Sequence, residues 1–91
     1  MQQVNDKKLI FNKTLGSLVK KIRNSNNMIS ISKLAREFDL DRGNLSKLEK
    51  GQNNCNVITL WKICEANRIK FSDFAKLLEK ELGSNFKLIN K

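Results

Sequence analysis

The 91-residue chain has no histidine, no proline and no tyrosine, and only two cysteines and four glycines. Without histidine it lacks the side chain that most often acts as general base or holds a transition metal. Cys55 and Cys64 are nine positions apart, with no other soft ligand beside them. A structural zinc site takes about four ligands, and a small disulfide scaffold is denser in cysteine. The two read as one reduced loop thiol and one reduced core thiol, so neither a metal site nor redox chemistry is expected. No apolar run approaches the roughly 20 residues that cross a bilayer. The opening MQQVNDKKLIFNK shows no apolar stretch followed by small residues, so no secretory signal is read and a cytoplasmic protein is expected. No nucleophile–base pair, phosphate-binding glycine loop or carboxylate cluster stands out. Neither catalytic residues nor a cofactor is expected, and an enzyme is not.

What the chain does have is positive charge: 18 Lys+Arg against 9 Asp+Glu, a formal net of +9. The surplus is uneven, at +5 over residues 1–30, +1 over 31–51 and +3 over 52–91. Such a chain is attracted to a polyanion, either a nucleic-acid backbone or an anionic membrane surface. The membrane is disfavoured, because each apolar stripe is needed for a core.

Short Gly- or Asn-rich breaks fall at residues 24–27, 51–56 and 83–85. Between them the apolar spacing is helical. Leu15, Leu18, Val19 and Ile22 follow i, i+3, i+4, i+7 and predict a first helix over roughly residues 9–24. Ile31, Leu34, Ala35 and Phe38 repeat that spacing behind Ser30, which can cap it, and Asp41 has N-cap chemistry for a third helix ending at Gly51. Asn56 caps a fourth helix with Val57, Leu60, Ile63 and Cys64. A fifth starts near Phe71, with Phe74, Leu77, Leu78 and Leu82 inside and Gly83 as its stop. Trp61 and Phe74 fall within apolar stripes and are expected in the core. No stretch alternates with period two, so the expected class is all-α, a compact five-helix bundle. A flexible N-terminal arm over 1–8 and a tail over 84–91 flank one domain at 9–83.

Residues 31–50 hold the most specific pattern. Two helices crossing through a tight turn need a small residue where their backbones approach, here Ala35. They also need apolar residues turned into a shared core, here Leu34, Phe38, Leu40, Leu45 and Leu48. That is helix-turn-helix spacing. Asp39 stands where a turn glycine is usual, and aspartate tolerates the left-handed conformation better than most residues.

The stretch LAREFDLDRGNLSKLEKG, followed by ITLWKICEANRIKFSDF, resembles the Cro/repressor class of helix-turn-helix domains, over roughly residues 14–82. Within that class the LDR–LS–LE–G run and the Asn-rich loop are similar to the small controller proteins of restriction–modification systems. The resemblance implies a lambda-repressor-like bundle whose third helix enters the major groove. It places base contacts at Arg42, Gly43, Asn44, Ser46 and Lys47. Arg42 and Lys47 suit guanine acceptors and Asn44 suits adenine or phosphate, while Gly43 either admits a close backbone approach or reads nothing. Phosphate contacts are expected from the amide-bearing start of helix 2 with Ser30, Ser32 and Lys33, and from Lys50, Gln52, Asn53 and Asn54, which match the backbone-clasping loop of relatives. For the asparagines, plain turn chemistry is an equal reading. Relatives often carry glutamine where this chain has Ile31, which leaves no side-chain clamp there. The class also pairs a glutamate of helix 3 with an arginine ending helix 1, here Glu49 and Arg23.

The expected function is a sequence-specific, DNA-binding transcriptional regulator, a repressor or controller protein, acting as a homodimer on a palindromic operator in double-stranded DNA. Phe71, Leu78, Leu82, Leu88 and Ile89 are apolar beyond the needs of a small bundle and form the expected dimer interface. The alternative is an antitoxin-type module that binds and neutralises a protein partner.

Overall fold

Three helices begin on a side chain that closes their first turn. Ser30 Oγ accepts from the Lys33 amide at 3.1 Å, Asp41 Oδ1 from the Asn44 amide at 3.0 Å, and Asn56 Oδ1 from the Thr59 amide at 2.7 Å. Each such cap stabilises by about 1 kcal/mol. In the computed structural model, which describes residues 3–25 and 30–89, these caps open α2 (Ile31–Glu37), α3 (Arg42–Glu49) and α4 (Val57–Ala66). They stand between α1 (Gln3–Ser25) and α5 (Phe71–Leu82), and among the described residues there is no strand. The all-α, five-helix expectation holds.

The same three helices end alike. The residue after the C-cap turns left-handed at Asp39 (φ 55°), Gly51 (φ 75°) and Arg68 (φ 57°). The next amide then bonds back across the turn, Leu40 to the Ala35 carbonyl, Gln52 to Lys47 and Ile69 to Cys64, at 2.9–3.0 Å. This satisfies carbonyls that the helix end would otherwise leave open. Asp39 therefore fills the turn-glycine position of the α2–α3 unit, and Arg68 does the same after α4 despite its long side chain.

The first helix is longer than its apolar stripe predicts. Residues 3–8, expected as an arm, continue α1 as helix; they contain no glycine or proline to interrupt it. At 23 residues α1 extends about 34 Å and accounts for much of the 41 Å long axis of the molecule. Residues 1 and 2 of the expected arm, 26 and 27 of the expected first break, and 90 and 91 of the expected tail lie outside the described residues. Trp61 departs from expectation. It is 51% exposed, whereas Phe74 is 1% exposed and central to the core. The buried stripe of α4 runs through Leu60, Ile63 and Cys64, and Trp61, one residue on from Leu60, is rotated off it by about 100°.

The core gathers Leu15, Leu18 and Val19 of α1 against Leu34, Leu45, Leu48, Ile63 and Phe74. Cys64 is buried there, and Cys55 packs on its edge. Burial, with the neighbouring Cys64 adding to it, pushes the Cys55 thiol up to about 11, and burial raises Cys64 as well. Both remain protonated near neutrality. The backbones of α1 and α3 approach closely at Gly16. A Cβ there would fall on the Leu48 carbonyl oxygen and within 2.9 Å of the Glu49 carbonyl carbon. Alanine ordinarily improves a helix by about 1 kcal/mol over glycine. Gly16→Ala is nonetheless expected to destabilise this fold by about 1–3 kcal/mol, because the obstacle is backbone and the helices must separate. Urea unfolding of the variant checks it, and a midpoint shifted upward would contradict the close approach.

Candidate nucleic-acid interface

An eight-residue helix is too short to hold its shape alone, so α3 depends on what fastens it. Leu45 and Leu48 are buried on its inner side at 2% and 5% exposure. Beside them Glu49 receives Arg23 of α1 through two hydrogen bonds, Nε to Oε2 at 2.7 Å and Nη2 to Oε1 at 2.9 Å. The side chains of this pair are only 10% and 4% exposed. Gly51, just past the helix, lies so near α1 that an added Cβ would sit 2.7 Å from the Lys13 Cα. Apolar packing, a forked ion pair and a close glycine approach thus hold α3 along α1.

What remains of α3 points outward. Arg42, Gly43, Asn44 and Lys47 are exposed and Ser46 partly so. At 100° per residue, Gly43 and Lys47 stand roughly opposite the Leu45–Leu48 side, with Arg42 on one shoulder and Asn44 on the other. The shoulders differ. Arg42 leans toward α2, its Nε donating to Ser32 Oγ at 2.7 Å. Asn44 borders a polar cleft shared with Asn53, Asn54, Thr59 and Lys62. A Cβ at Gly43 would press on the capping Asp41 Oδ1, 3.3 Å away, and on nothing else.

The expected phosphate-contacting residues divide into two groups. Lys33, Lys50 and Gln52 are exposed at the edges of the α2–α3 unit. Ser30, Ser32, Asn53 and Asn54 already have partners within the protein, Ser32 accepting from Arg42 as above. Ser30 caps α2, Asn53 Nδ2 donates to the Asn44 carbonyl at 3.4 Å, and Asn54 Oδ1 accepts from Asn12 Nδ2 at 2.9 Å. The asparagine loop is therefore tied to α3 at one residue and to α1 at the next. Asn12 and Gly16 were not singled out by sequence reasoning. A glycine inside an apolar helical stripe is a readable sign of close approach, whereas Asn12 carries no such sign.

Of the expected dimer residues, Phe71 and Leu78 pack against the core, Leu82 is half-buried, and Leu88 and Ile89 are exposed. A larger exposed apolar group lies on α4, where Val57 is 65%, Ile58 72% and Trp61 51% exposed. Trp61 stacks on Phe71 with ring centroids 5.4 Å apart.

A sequence profile of helix-turn-helix proteins matches residues 19–74, which take in α2, α3 and α4 whole. The chain belongs to the helix-turn-helix family. With that membership it is a DNA-binding regulator of transcription. Among curated relatives, this helix-turn-helix protein is 33% identical over 78 residues to control protein C.MunI from Mycoplasma sp., covering 86% of this chain and all of that one. Among solved structures, a point mutant of the restriction-modification controller protein C.Esp1396I superposes with a TM-score of 0.73 at 25% identity, over 80% of this chain and 96% of that one. The clp gene regulator ClgR from C. glutamicum shares the fold, with a TM-score of 0.70 at 20% identity over 80% and 92% of the two chains. The resemblance is thus met in sequence by a named control protein and in structure by a restriction–modification controller. No helix among the described residues is long and apolar enough to cross a membrane.

Proposed function

We propose that this helix-turn-helix protein is the controller of a restriction–modification system, binding a palindromic operator as a homodimer and acting by occupancy, without catalysis. The observation that carries this is the two-sided character of α3. One side is fastened by Leu45, Leu48 and the Arg23–Glu49 pair, while the other presents Arg42, Gly43, Ser46 and Lys47 to solvent. A reading helix needs such a rigid back and an uncommitted front. In this reading Arg42 and Lys47 address base edges, Asn44 addresses a base or phosphate from its shoulder, and Lys33, Lys50 and Gln52 address the backbone. C.MunI and C.Esp1396I, both controllers by name, support assigning the chain to such a system.

One domain of this size covers a single half-site, and two half-sites are the usual route to useful specificity. We place the twofold contact on the apolar face of Val57, Ile58 and Trp61, with Phe71 behind it. Selection from random duplex DNA tests the whole reading. The expected product is a palindrome whose half-site centres lie one helical turn or a multiple of it apart. Ile58→Asp, at a site 72% exposed and so harmless to the core, is expected to leave a folded monomer by sedimentation that protects only one half-site. A variant that remains dimeric would move the interface elsewhere.

A further inference from the structure

Arg42 is the first residue of α3 and Ser32 the second of α2, and their side chains meet across the turn, Arg42 Nε to Ser32 Oγ at 2.7 Å. Arginine carries five N–H donors on a planar fork. This hydrogen bond uses the donor nearest the stem, which fixes the plane of the guanidinium and leaves the two terminal nitrogens beyond it. The charge is not drawn to a carboxylate either. Among the described residues the ion pairs are Arg23–Glu49 and Lys62–Asp39, and the neighbouring Asp41 carboxylate accepts from the Asn44 amide. Guanine offers O6 and N7 as adjacent acceptors in the major groove, a match for the two terminal nitrogens. Holding the fork beforehand removes part of the ordering cost of binding.

We propose that Ser32 is a specificity-determining positioning residue that orients the Arg42 guanidinium toward one guanine of the operator and does not serve as a phosphate contact. The proposal rests on the DNA reading above and assigns Ser32 a different role from its serine neighbour. Ser30 closes the first turn of α2, while Ser32 reaches across to the reading helix.

The test starts from the operator selected by the wild-type protein. Arg42→Ala identifies the G·C pair at which discrimination is lost, and a duplex with that pair replaced by A·T serves as the mismatched probe. Affinities for cognate, mismatched and random duplex are then measured for Ser32→Ala, Ser32→Thr and the Ser32→Ala/Arg42→Ala double variant. Ser32→Ala is expected to lower the cognate-over-mismatched ratio by about 3–10-fold, the range of one modest hydrogen bond, with random-duplex affinity unchanged. Ser32→Thr keeps the hydroxyl and is expected to keep the ratio. In the Arg42→Ala background the loss of Ser32 is expected to add nothing, because the two act as one unit. Equal loss on all three duplexes would show a phosphate contact and overturn the proposal. So would an undiminished effect of Ser32→Ala in the Arg42→Ala background, or an Arg42→Ala variant that discriminates as well as wild type. If the wild-type protein selects no preferred sequence, the DNA reading itself fails, a result distinct from each of these.

Discussion

Replacing Glu49 by alanine is expected to lower the unfolding free energy by about 3–5 kcal/mol, the usual cost of removing one partner from a buried ion pair. The geometry places this pair in that class. Both side chains are nearly enclosed, at 10% and 4% exposure, and both carboxylate oxygens are taken by Arg23, at 2.7 and 2.9 Å. Alanine would take both carboxylate oxygens from a nearly enclosed guanidinium and leave a void where the carboxylate stood. Small domains have total stabilities of roughly 5–15 kcal/mol, so the variant would lose a large fraction of its margin. Glu49→Gln keeps a carbonyl acceptor and is expected to lose less. The Arg23→Ala/Glu49→Ala double variant is expected to lose less than the sum of the single changes, since no charge is then stranded. Urea unfolding of the four proteins checks this. A Glu49→Ala loss below about 1 kcal/mol would place the pair with exposed surface bridges.

Operator affinity is expected to fall about 10³–10⁵-fold between 50 and 200 mM salt, if the dimer neutralises roughly 6–10 phosphates and releases their condensed counterions. The reading unit supplies little of this charge, with a net of only +1 over residues 31–51. The flanks must supply the rest, and α1 is in position to do so. Lys13 lies against Gly51, and Asn12 is hydrogen-bonded to Asn54 of the loop expected to face phosphate. Lys8 is one helical turn before Asn12 on the same side. Replacing Lys8 and Lys13 by glutamine is therefore expected to flatten the logarithmic salt slope by about one for each phosphate no longer neutralised, with the same operator still preferred. A salt series on both proteins decides the point. An unchanged slope would remove α1 from the interface, and a nearly flat slope in the wild type would favour a protein partner over DNA.

Local chemistry was legible where one side chain decides it. Ser30, Asp41 and Asn56 have the oxygen a first turn needs, and each accepts the amide three residues on. Asp39 was readable as a left-handed turn residue because its neighbours place two apolar stripes on either side of it. Arg68 occupies the same conformation, yet nothing in an arginine signals it; the turn there is imposed by packing of the segment after α4. Trp61 was misplaced because it lies within an apolar helix, although counting turns from Leu60 and Cys64 puts it off the buried stripe. The extension of α1 through residues 3–8 was missed because an apolar stripe marks where a helix packs and not where it stops. Which α3 residues face outward was implied by the resemblance to the Cro/repressor class, and Arg42, Gly43, Asn44 and Lys47 are exposed. The link between Arg42 and Ser32 was not implied, because it depends on the angle at which α2 and α3 cross.

The outward residues of α3 have a consequence for how such a regulator diverges. Asn44 and Lys47 are exposed, as is Arg42 apart from its bond to Ser32, and exposed substitutions away from special interactions usually change stability by no more than about 0.5 kcal/mol. The grip on α3, through Leu45, Leu48 and Glu49, occupies other positions of the same helix. If these outward residues read DNA as proposed, the address can be rewritten while the protein that carries it keeps its fold. Two such regulators can occupy one cell with equal stability and separate targets, because each mismatched base pair costs about 1–3 kcal/mol of binding and a few mismatches suffice to keep them apart.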